Sequence, residues 1–311
     1  MRSMRSIRRP AFRSVVVQGL LLVLAAGARA QSLSDAAYQR SFEQWKTELV
    51  ADLKQNWLPL AGLFWLKAGE NSFGTDPGNA IVLPPGSAPP QAGSFVLEGN
   101  GNQVTIKLAP GVNATIAGQP IGTTQLQSDA SGTATWVELG ALRMKVIVRG
   151  ARIGIRVKDL NSPEVRAYPG PEFYPLDLNY RVPATWVPGN GKTTVDVPNV
   201  LGDVTPTPVA GKVQFTLNGH SLELTDLGGD PAKGLFFVLN DLTSKTETYP
   251  GGRFLDTDPV VNGKVVLDFN RAYSPPCSVT PYATCPLAPK ENRLTVAIDA
   301  GQKYDRTHAH H

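Results

Sequence analysis

The sequence predicts a mostly β protein, built as antiparallel β-sandwich or barrel domains with one N-terminal amphipathic helix. From residue 59 onward, short β-branched runs alternate with glycine, proline and asparagine clusters at intervals of about ten residues, which is typical of sandwiches and barrels. The 311-residue chain has 30 glycines and 26 prolines, enough for the many turns of such a fold. Strands and helices do not alternate regularly, which disfavours a parallel sheet.

The first 30 residues have the composition of a removable export signal. They hold six arginines and no acid, surround an uncharged apolar run at 15–28, and end in Ala28-Arg29-Ala30, a small-residue cleavage site before Gln31. The run is shorter than the roughly 20 apolar residues that span a bilayer, and no later segment approaches that length. We therefore expect a periplasmic or secreted mature protein without a membrane span; a retained anchor is the alternative.

Removal of this segment changes the charge of the protein. The whole chain has a pI near 9.0, but residues 31–311 hold 24 basic and 26 acidic residues, a net charge of −2. The sequence also shows no basic stripe with interleaved aromatic residues. Nucleic acid is therefore not expected as a partner.

Residues 31–58 are expected to form the helix. One apolar stripe recurs every three or four positions, with polar residues on the other side; it consists of Tyr38, Phe42, Trp45, Leu49 and Leu53. Pro59 ends the pattern. We expect a surface helix packed on the following domain, and an oligomer contact is the alternative.

Candidate strands beyond the helix include residues 144–149, 153–158, 264–269 and 294–298. A seam near residues 132–140 divides a smaller domain, residues 59–135, from a larger β-rich domain, residues 136–304. Residues 305–311 form a polar tail that is expected to be disordered.

Two cysteines, Cys277 and Cys285, lie close together in the sequence. In an oxidising compartment we expect them to form a structural disulfide, and two separate buried thiols are the alternative. Two cysteines without neighbouring histidines make a poor metal site, so neither a metal nor a cofactor is expected.

Histidine is nearly absent from the body of the chain. His220 is the only one outside the tail and lies in an Asn-Gly turn, which is usually a solvated position. Serine- and cysteine-based triads therefore lack their base, and no G-x-S-x-G, P-loop or H-E-x-x-H motif occurs. The sequence leaves open whether the protein is an enzyme.

The remaining candidates for chemistry are polar residues around an apolar strand at 264–269 and the loop that follows it. Arginine favours an anion site, because a guanidinium binds a carboxylate or phosphate through two hydrogen bonds. The candidate ligand-binding residues are Arg156, Arg253, Asp268, Asn270, Arg271, Tyr273, Glu291, Asn292 and Arg293. The alternative is structural: ion pairs that fix the loop and asparagines that cap turns.

Two stretches of the sequence carry a resemblance to a known family. The first is GLFWLKAGENSFG at 62–74 with DPGN at 76–79 and IVLP at 81–84; the second is GRF at 252–254, LDFNRAY at 267–273, PPC at 275–277, CP at 285–286 and ENRL at 291–294. Together they resemble the family catalogued as domain of unknown function 1684, over roughly residues 55–304. The resemblance implies no activity.

The first stretch also resembles the start of a forkhead-associated domain, a β-sandwich that reads phosphothreonine. That family has Gly-Arg, Ser-x-x-His and Asn-Gly motifs. Here Thr75 follows Gly74, the loop SAPPQAG at 87–93 has no histidine, and the later turn is Ala117-Gly118. The resemblance implies a sandwich fold without the charge-assisted phosphate donors, and hence without phosphopeptide binding.

Three hypotheses follow from these residues. The first is an envelope protein that binds a small anionic or sugar-like ligand in its C-terminal domain. The second is a histidine-independent hydrolase that uses the carboxylates of Asp268 and Glu291 as acid and base. The third is a structural or partner-binding envelope protein. Binding is favoured slightly over the enzyme.

Overall fold

A computed structural model describes residues 35–99, 103–304 and 306. The predicted export signal and the histidines of the tail lie outside the described residues. The fold is mostly β, as predicted, with antiparallel sheets and one N-terminal helix. No helix among the described residues is long and apolar enough to cross a membrane.

The chain divides into two compact units, Met1–Glu43 and Gln44–His311. Helix α1 (Asp35–Asp52) crosses this division and continues as a π-helical turn, Leu53–Trp57. In the second unit, the ring of Trp45 packs edge-on against Phe173 at 5.7 Å and Tyr273 at 6.2 Å between centroids. This part of the predicted apolar stripe therefore contacts the β structure.

Eleven strands form an N-terminal sandwich of two sheets. They are β1 (Leu60–Trp65), β2 (Gly69–Gly74), β3 (Ile81–Val82), β4 (Gly93–Leu97), β5 (Val104–Leu108), β6 (Thr115–Ile116), β7 (Gln119–Pro120), β8 (Thr124–Leu126), β9 (Val137–Leu139), β10 (Leu142–Arg149) and β11 (Arg152–Asp159). One sheet has the order β3-β2-β4-β5-β8, and the other has the order β1-β11-β10-β9-β6-β7.

The core of this sandwich reaches beyond the predicted domain boundary at residue 135. Phe73 and Phe95 from one sheet and Met144 and Ile155 from the other belong to the same buried cluster. Strands β10 and β11, which the sequence assigned to the C-terminal domain, are paired with β9 and β1. The glycines at 132 and 140 flank the entry to β9 rather than a domain linker.

Strands β10 and β11 form a tight hairpin in which Arg149 pairs with Arg152. Gly150 in the turn has φ 57°, a left-handed conformation that glycine adopts without steric cost. The alternation of apolar and charged residues along both strands puts Met144, Val146 and Ile155 inside, so the charged residues lie on the outer face.

The C-terminal half contains short helix α2 (Pro163–Ala167) and eight strands. The strands are β12 (Arg181–Pro188), β13 (Thr194–Pro198), β14 (Val204–Pro208), β15 (Gly211–Leu217), β16 (His220–Thr225), β17 (Phe236–Leu239), β18 (Arg253–Asp256) and β19 (Lys264–Asp268). They form a four-stranded sheet, β16-β15-β12-β19, and the pairs β13-β14 and β17-β18.

Residues 294–298 were predicted as a strand, but they lie in no sheet strand. Their alternate side chains Leu294, Val296 and Ile298 are buried in the core of the C-terminal half, which explains the strand-like pattern. The backbone makes single hydrogen bonds to its neighbours, such as Leu294 N to Asn240 O at 2.7 Å, instead of a ladder.

Candidate functional site

Six cations share the outer face of the β10–β11 hairpin. Opposed residues of an antiparallel pair point to the same side, with Cβ atoms about 5 Å apart. The register opposes Arg143 to Lys158, Lys145 to Arg156 and Arg149 to Arg152. Like charges placed opposite each other destabilise a sheet, so this face needs compensating negative charge.

Three of the six cations have an acid partner. Arg143 pairs with Glu138 at 3.5 Å, Arg149 with Asp129 at 2.8 Å, and Arg152 with Asp203 at 3.1 Å. Lys145, Arg156 and Lys158 make no ion pair with any residue that the structure describes. We call these three cations, with the rings of Trp57 and Trp136 beside them, the cationic site.

Arg156 is the deepest member of the cationic site, at 5% exposure. Its Nη2 lies 3.3 Å from the carbonyl oxygen of Tyr282 and 3.5 Å from Oγ1 of Thr284, and its buried Nε has no hydrogen-bond partner. Burial and the repulsion of Arg149 lower the pKa of Arg156 to about 10. The guanidinium remains charged at neutral pH, with donor capacity left over.

The two lysines lie over one aromatic ring. Lys145 Nζ is 4.8 Å and Lys158 Nζ 5.2 Å from the ring centre of Trp136, within cation–π distance. Burial lowers the pKa of both lysines, and repulsion among the three cations lowers them further. Lys158 also donates to Asn56 Oδ1 at 3.1 Å, so the end of the N-terminal helix adjoins the site.

The arrangement suits an oxyanion. A guanidinium presents parallel N–H donors that match a carboxylate or phosphate, and two ammonium groups add charge. The ring of Trp57, 5.9 Å from the guanidinium carbon of Arg156, adds an apolar side. Elements from both halves of the chain meet here, since the sheet supplies the cations and the loop of Tyr282 and Thr284 holds Arg156.

The sequence-predicted residues of the C-terminal half mostly serve the fold. The Asp268 carboxylate contacts Arg181 Nε at 3.4 Å and Arg271 Nε at 3.6 Å. The buried side chain of Asn270 exchanges two hydrogen bonds with the backbone of Asp177, at 2.9 and 3.2 Å. These contacts fix the end of β19 to the segment before β12.

Tyr273 binds a carboxylate outside the predicted set. Its hydroxyl donates to Asp256 Oδ2 at 2.8 Å. Burial raises the pKa of Asp256, and burial with the neighbouring carboxylate raises that of Tyr273. The pair joins β18 to the segment after β19.

Asp268 and Glu291 do not face each other. Asp268 pairs with Arg181 on one edge of the four-stranded sheet. Asn292, next to Glu291, exchanges hydrogen bonds of 2.7 and 2.9 Å with the backbone of Thr225, on the other edge of the sheet. The strand register places Thr225 level with a position on β12 that is six residues beyond Arg181. These backbone positions are about 20 Å apart along the strands and about 14 Å across them. The carboxylate pair of the hydrolase hypothesis therefore does not form.

Arg253 is fully buried in an ion pair with Asp241. Its Nη2 contacts Asp241 Oδ2 at 2.7 Å, and its guanidinium also donates to the carbonyl oxygens of Ala300 and Ile298. Both side chains of the ion pair have 0% exposure. Arg293, in contrast, has an exposed side chain at the rim of a separate cleft.

Cys277 and Cys285 are adjacent buried thiols and are not bonded to each other. The backbone N–H of Cys277 donates to Cys285 Sγ at 3.2 Å, and the Tyr249 hydroxyl donates to Cys277 Sγ at 3.4 Å. The hydrogen bond between the thiols lowers the pKa of Cys277 and raises that of Cys285. Within the described residues, no group of three histidine, cysteine or acidic side chains is placed to hold a metal ion.

Sequence reasoning found Arg156 but missed Lys145, Lys158 and Trp136. It also expected no basic stripe with aromatic neighbours, whereas the β10–β11 hairpin carries one. Part of the signal was available. Lys145 and Arg149 share one face of the predicted strand 144–149, Arg156 and Lys158 share one face of the predicted strand 153–158, and a hairpin between the two strands would bring these faces together. Net charge conceals such a stripe, because it averages over the whole chain.

Comparisons with known proteins identify a family. The chain is 32% identical to an uncharacterized protein of Haloarcula marismortui known from a solution NMR structure, over 47% of this chain and 83% of that chain, with a TM-score of 0.39. No curated protein is significantly similar to the chain. The family model described as "Protein of unknown function (DUF1684)" matches residues 166–303, which include Tyr282 and Thr284 but not the three cations. By this match the chain belongs to the DUF1684 family, as the second stretch of motifs indicated; the first stretch, at 62–84, lies outside the matched residues.

Proposed function

We propose that this is an exported envelope protein that binds a small anionic ligand, such as a carboxylate- or phosphate-bearing sugar or acid, at the cationic site. The observation that carries the proposal is that Lys145, Arg156 and Lys158 lie together, partly or fully buried, without an acid partner among the described residues. The ligand would thus bind at the face of the N-terminal sandwich and not in the Asp268–Arg293 region that the sequence suggested.

A purely structural role explains this cluster poorly. An uncompensated buried charge costs several kcal/mol, and neighbouring cations add repulsion. The same sheet face neutralises its other three cations with Glu138, Asp129 and Asp203. Asp129 and Asp52 offset the cost at the three that remain only in part, since the pKa of each is still lowered. A bound anion would reduce this cost further, which is the arrangement expected of a ligand site.

Substitution of Lys145 by glutamine is expected to weaken binding of inorganic phosphate or citrate by about tenfold or more, because a hydrogen bond to a charged group is lost. Isothermal titration calorimetry of the folded protein at neutral pH and low salt measures this. The matched control is Arg143→Gln, which removes a charge from the same strand and face but one already paired with Glu138. Its effect should stay within about twofold.

Equal weakening by Lys145→Gln and Arg143→Gln would mean that anions respond only to the general charge of the sheet face. An absence of measurable binding of either anion to the unmodified protein would also contradict the proposal.

Export makes a separate prediction. When the full chain is expressed in a bacterial host, the protein recovered from the periplasm or medium should begin at Gln31, as measured by intact mass. Alkylation of the unfolded protein without reductant should leave Cys277 and Cys285 unmodified, because we infer that the two adjacent cysteines form a disulfide in an oxidising compartment. A cell-retained protein that begins at Met1 would contradict the export proposal.

A further inference from the structure

A second cleft, of about 470 Å³, lies in the C-terminal half beyond the end of β17. Its lining includes Asn240, Asp241, Lys245, Arg293 and Arg306. Its volume falls in the range of small-molecule sites. None of these residues belongs to the cationic site.

The charge of the cleft is positive. Arg293 and Lys245 form no ion pair with residues in the described part of the chain. Within the described residues Arg306 donates to backbone alone, to Thr246 O at 3.0 Å and Ser244 O at 3.3 Å. The one acid in the lining, Asp241, is neutralised by the buried Arg253 at 2.7 Å. Three cations therefore remain to attract an anion.

The cleft also contains an unsatisfied acceptor. Asn240 donates from Nδ2 to the carbonyl oxygen of Pro250 at 3.3 Å, but its Oδ1 is buried and has no hydrogen-bond donor among the described residues. A buried acceptor without a donor is costly. Because Asn240 lines the cleft, a ligand group that donates a hydrogen bond to this oxygen would remove the cost.

We propose that this cleft is a second binding site, for a small hydroxylated carboxylate. The carboxylate would bind to the guanidinium of Arg293 with help from Lys245 and Arg306, and a hydroxyl of the ligand would donate to Asn240 Oδ1. The requirement for a donor distinguishes this ligand class from a plain carboxylate, which would leave the oxygen unsatisfied.

L-tartrate and succinate test the proposal as probes, since they share a four-carbon dicarboxylate chain and differ in two hydroxyls. Calorimetric titration of the folded protein should show that tartrate binds about tenfold or more tightly than succinate at this site. Asn240→Leu should remove the preference for tartrate. Arg293→Gln should weaken both probes by about tenfold or more.

Two control variants locate the effect. Lys290→Gln removes an exposed charge near Arg293 that does not line the cleft, and should change neither affinity by more than about twofold. Lys145→Gln, in the cationic site, should leave the preference for tartrate intact, so failure of either site can be recognised separately.

Equal binding of tartrate and succinate by the unmodified protein would overturn the proposal, and so would a preference that survives in Asn240→Leu. If thermal unfolding shows that Asn240→Leu is not folded, the unmodified protein and Arg293→Gln decide the matter. Arg293 has an exposed side chain, so this variant should fold; weaker binding of both probes by about tenfold or more with Arg293→Gln supports the site, and unchanged affinities refute it.

Discussion

Replacement of Arg253 by methionine is expected to lower the free energy of unfolding by about 3–5 kcal/mol, because it leaves the buried carboxylate of Asp241 without its partner. Both side chains have 0% exposure and their polar atoms are 2.7 Å apart. The substitution also removes the donors that Arg253 gives to the carbonyls of Ile298 and Ala300, which hold the last segment of the core. Urea unfolding followed by tryptophan fluorescence measures the loss.

Lys212→Met is the matched control for this substitution. Lys212 pairs with Glu223 at 2.6 Å in the same half of the chain, but these side chains are 41% and 47% exposed. An exposed ion pair contributes about 0–1 kcal/mol, so the control should remain near the stability of the unmodified protein. A similar effect of the two substitutions would show that the Arg253–Asp241 pair does not support the core.

Replacement of Arg156 by methionine is expected to have the opposite effect. In buffer without multivalent anions the variant should be more stable than the unmodified protein, since an apolar side chain of similar length replaces a buried charge that forms no ion pair with a described residue. The same urea titration measures the gain, and Arg253→Met provides the contrast between a compensated and an uncompensated buried arginine.

Addition of phosphate should reverse the order of stability. A ligand that binds only the folded state adds about 2.7 kcal/mol at one hundred times its dissociation constant, and the variant should lose this gain. If Arg156→Met instead destabilises the protein in anion-free buffer and responds to phosphate as the unmodified chain does, Arg156 has a structural role and the cationic site is not a ligand site.

The behaviour of these two arginines was not predictable from sequence. Both were candidates for ligand binding, and both follow apolar-rich local patterns. Arg253 meets Asp241 only because β18 lies beside the segment after β17, whereas Arg156 meets carbonyl and hydroxyl oxygens of a loop 126 and 128 residues later in the chain. Which residue contacts a given arginine depends on long-range packing, and a single sequence does not show this packing.

The relative positions of the Asp268 and Glu291 carboxylates were likewise not predictable from the sequence. The short sequence distance between Asp268 and Glu291 suggested that they could meet, but the strand order β16-β15-β12-β19 places their neighbourhoods on opposite edges of one sheet. Sequence separation carries little information on spatial distance once a loop crosses a sheet. The buried side chains of Asn270 and Asn292 form hydrogen bonds with the backbone of distant segments.

Local chemistry in the sequence determined the fold class, the N-terminal helix and the tight hairpins. Side chains alternate between the two faces of a strand, and glycine at positive φ closes turns such as that at Gly150. These features depend only on residues that are close together in the sequence. The tertiary structure decided which charges are neutralised. Arg152 pairs with Asp203, 51 residues away, while Lys145, Arg156 and Lys158 form no ion pair with a described residue. Because Coulomb interactions depend on distance in space and on burial, only the assembled fold distinguishes a fixed ion pair from a site able to receive an anion.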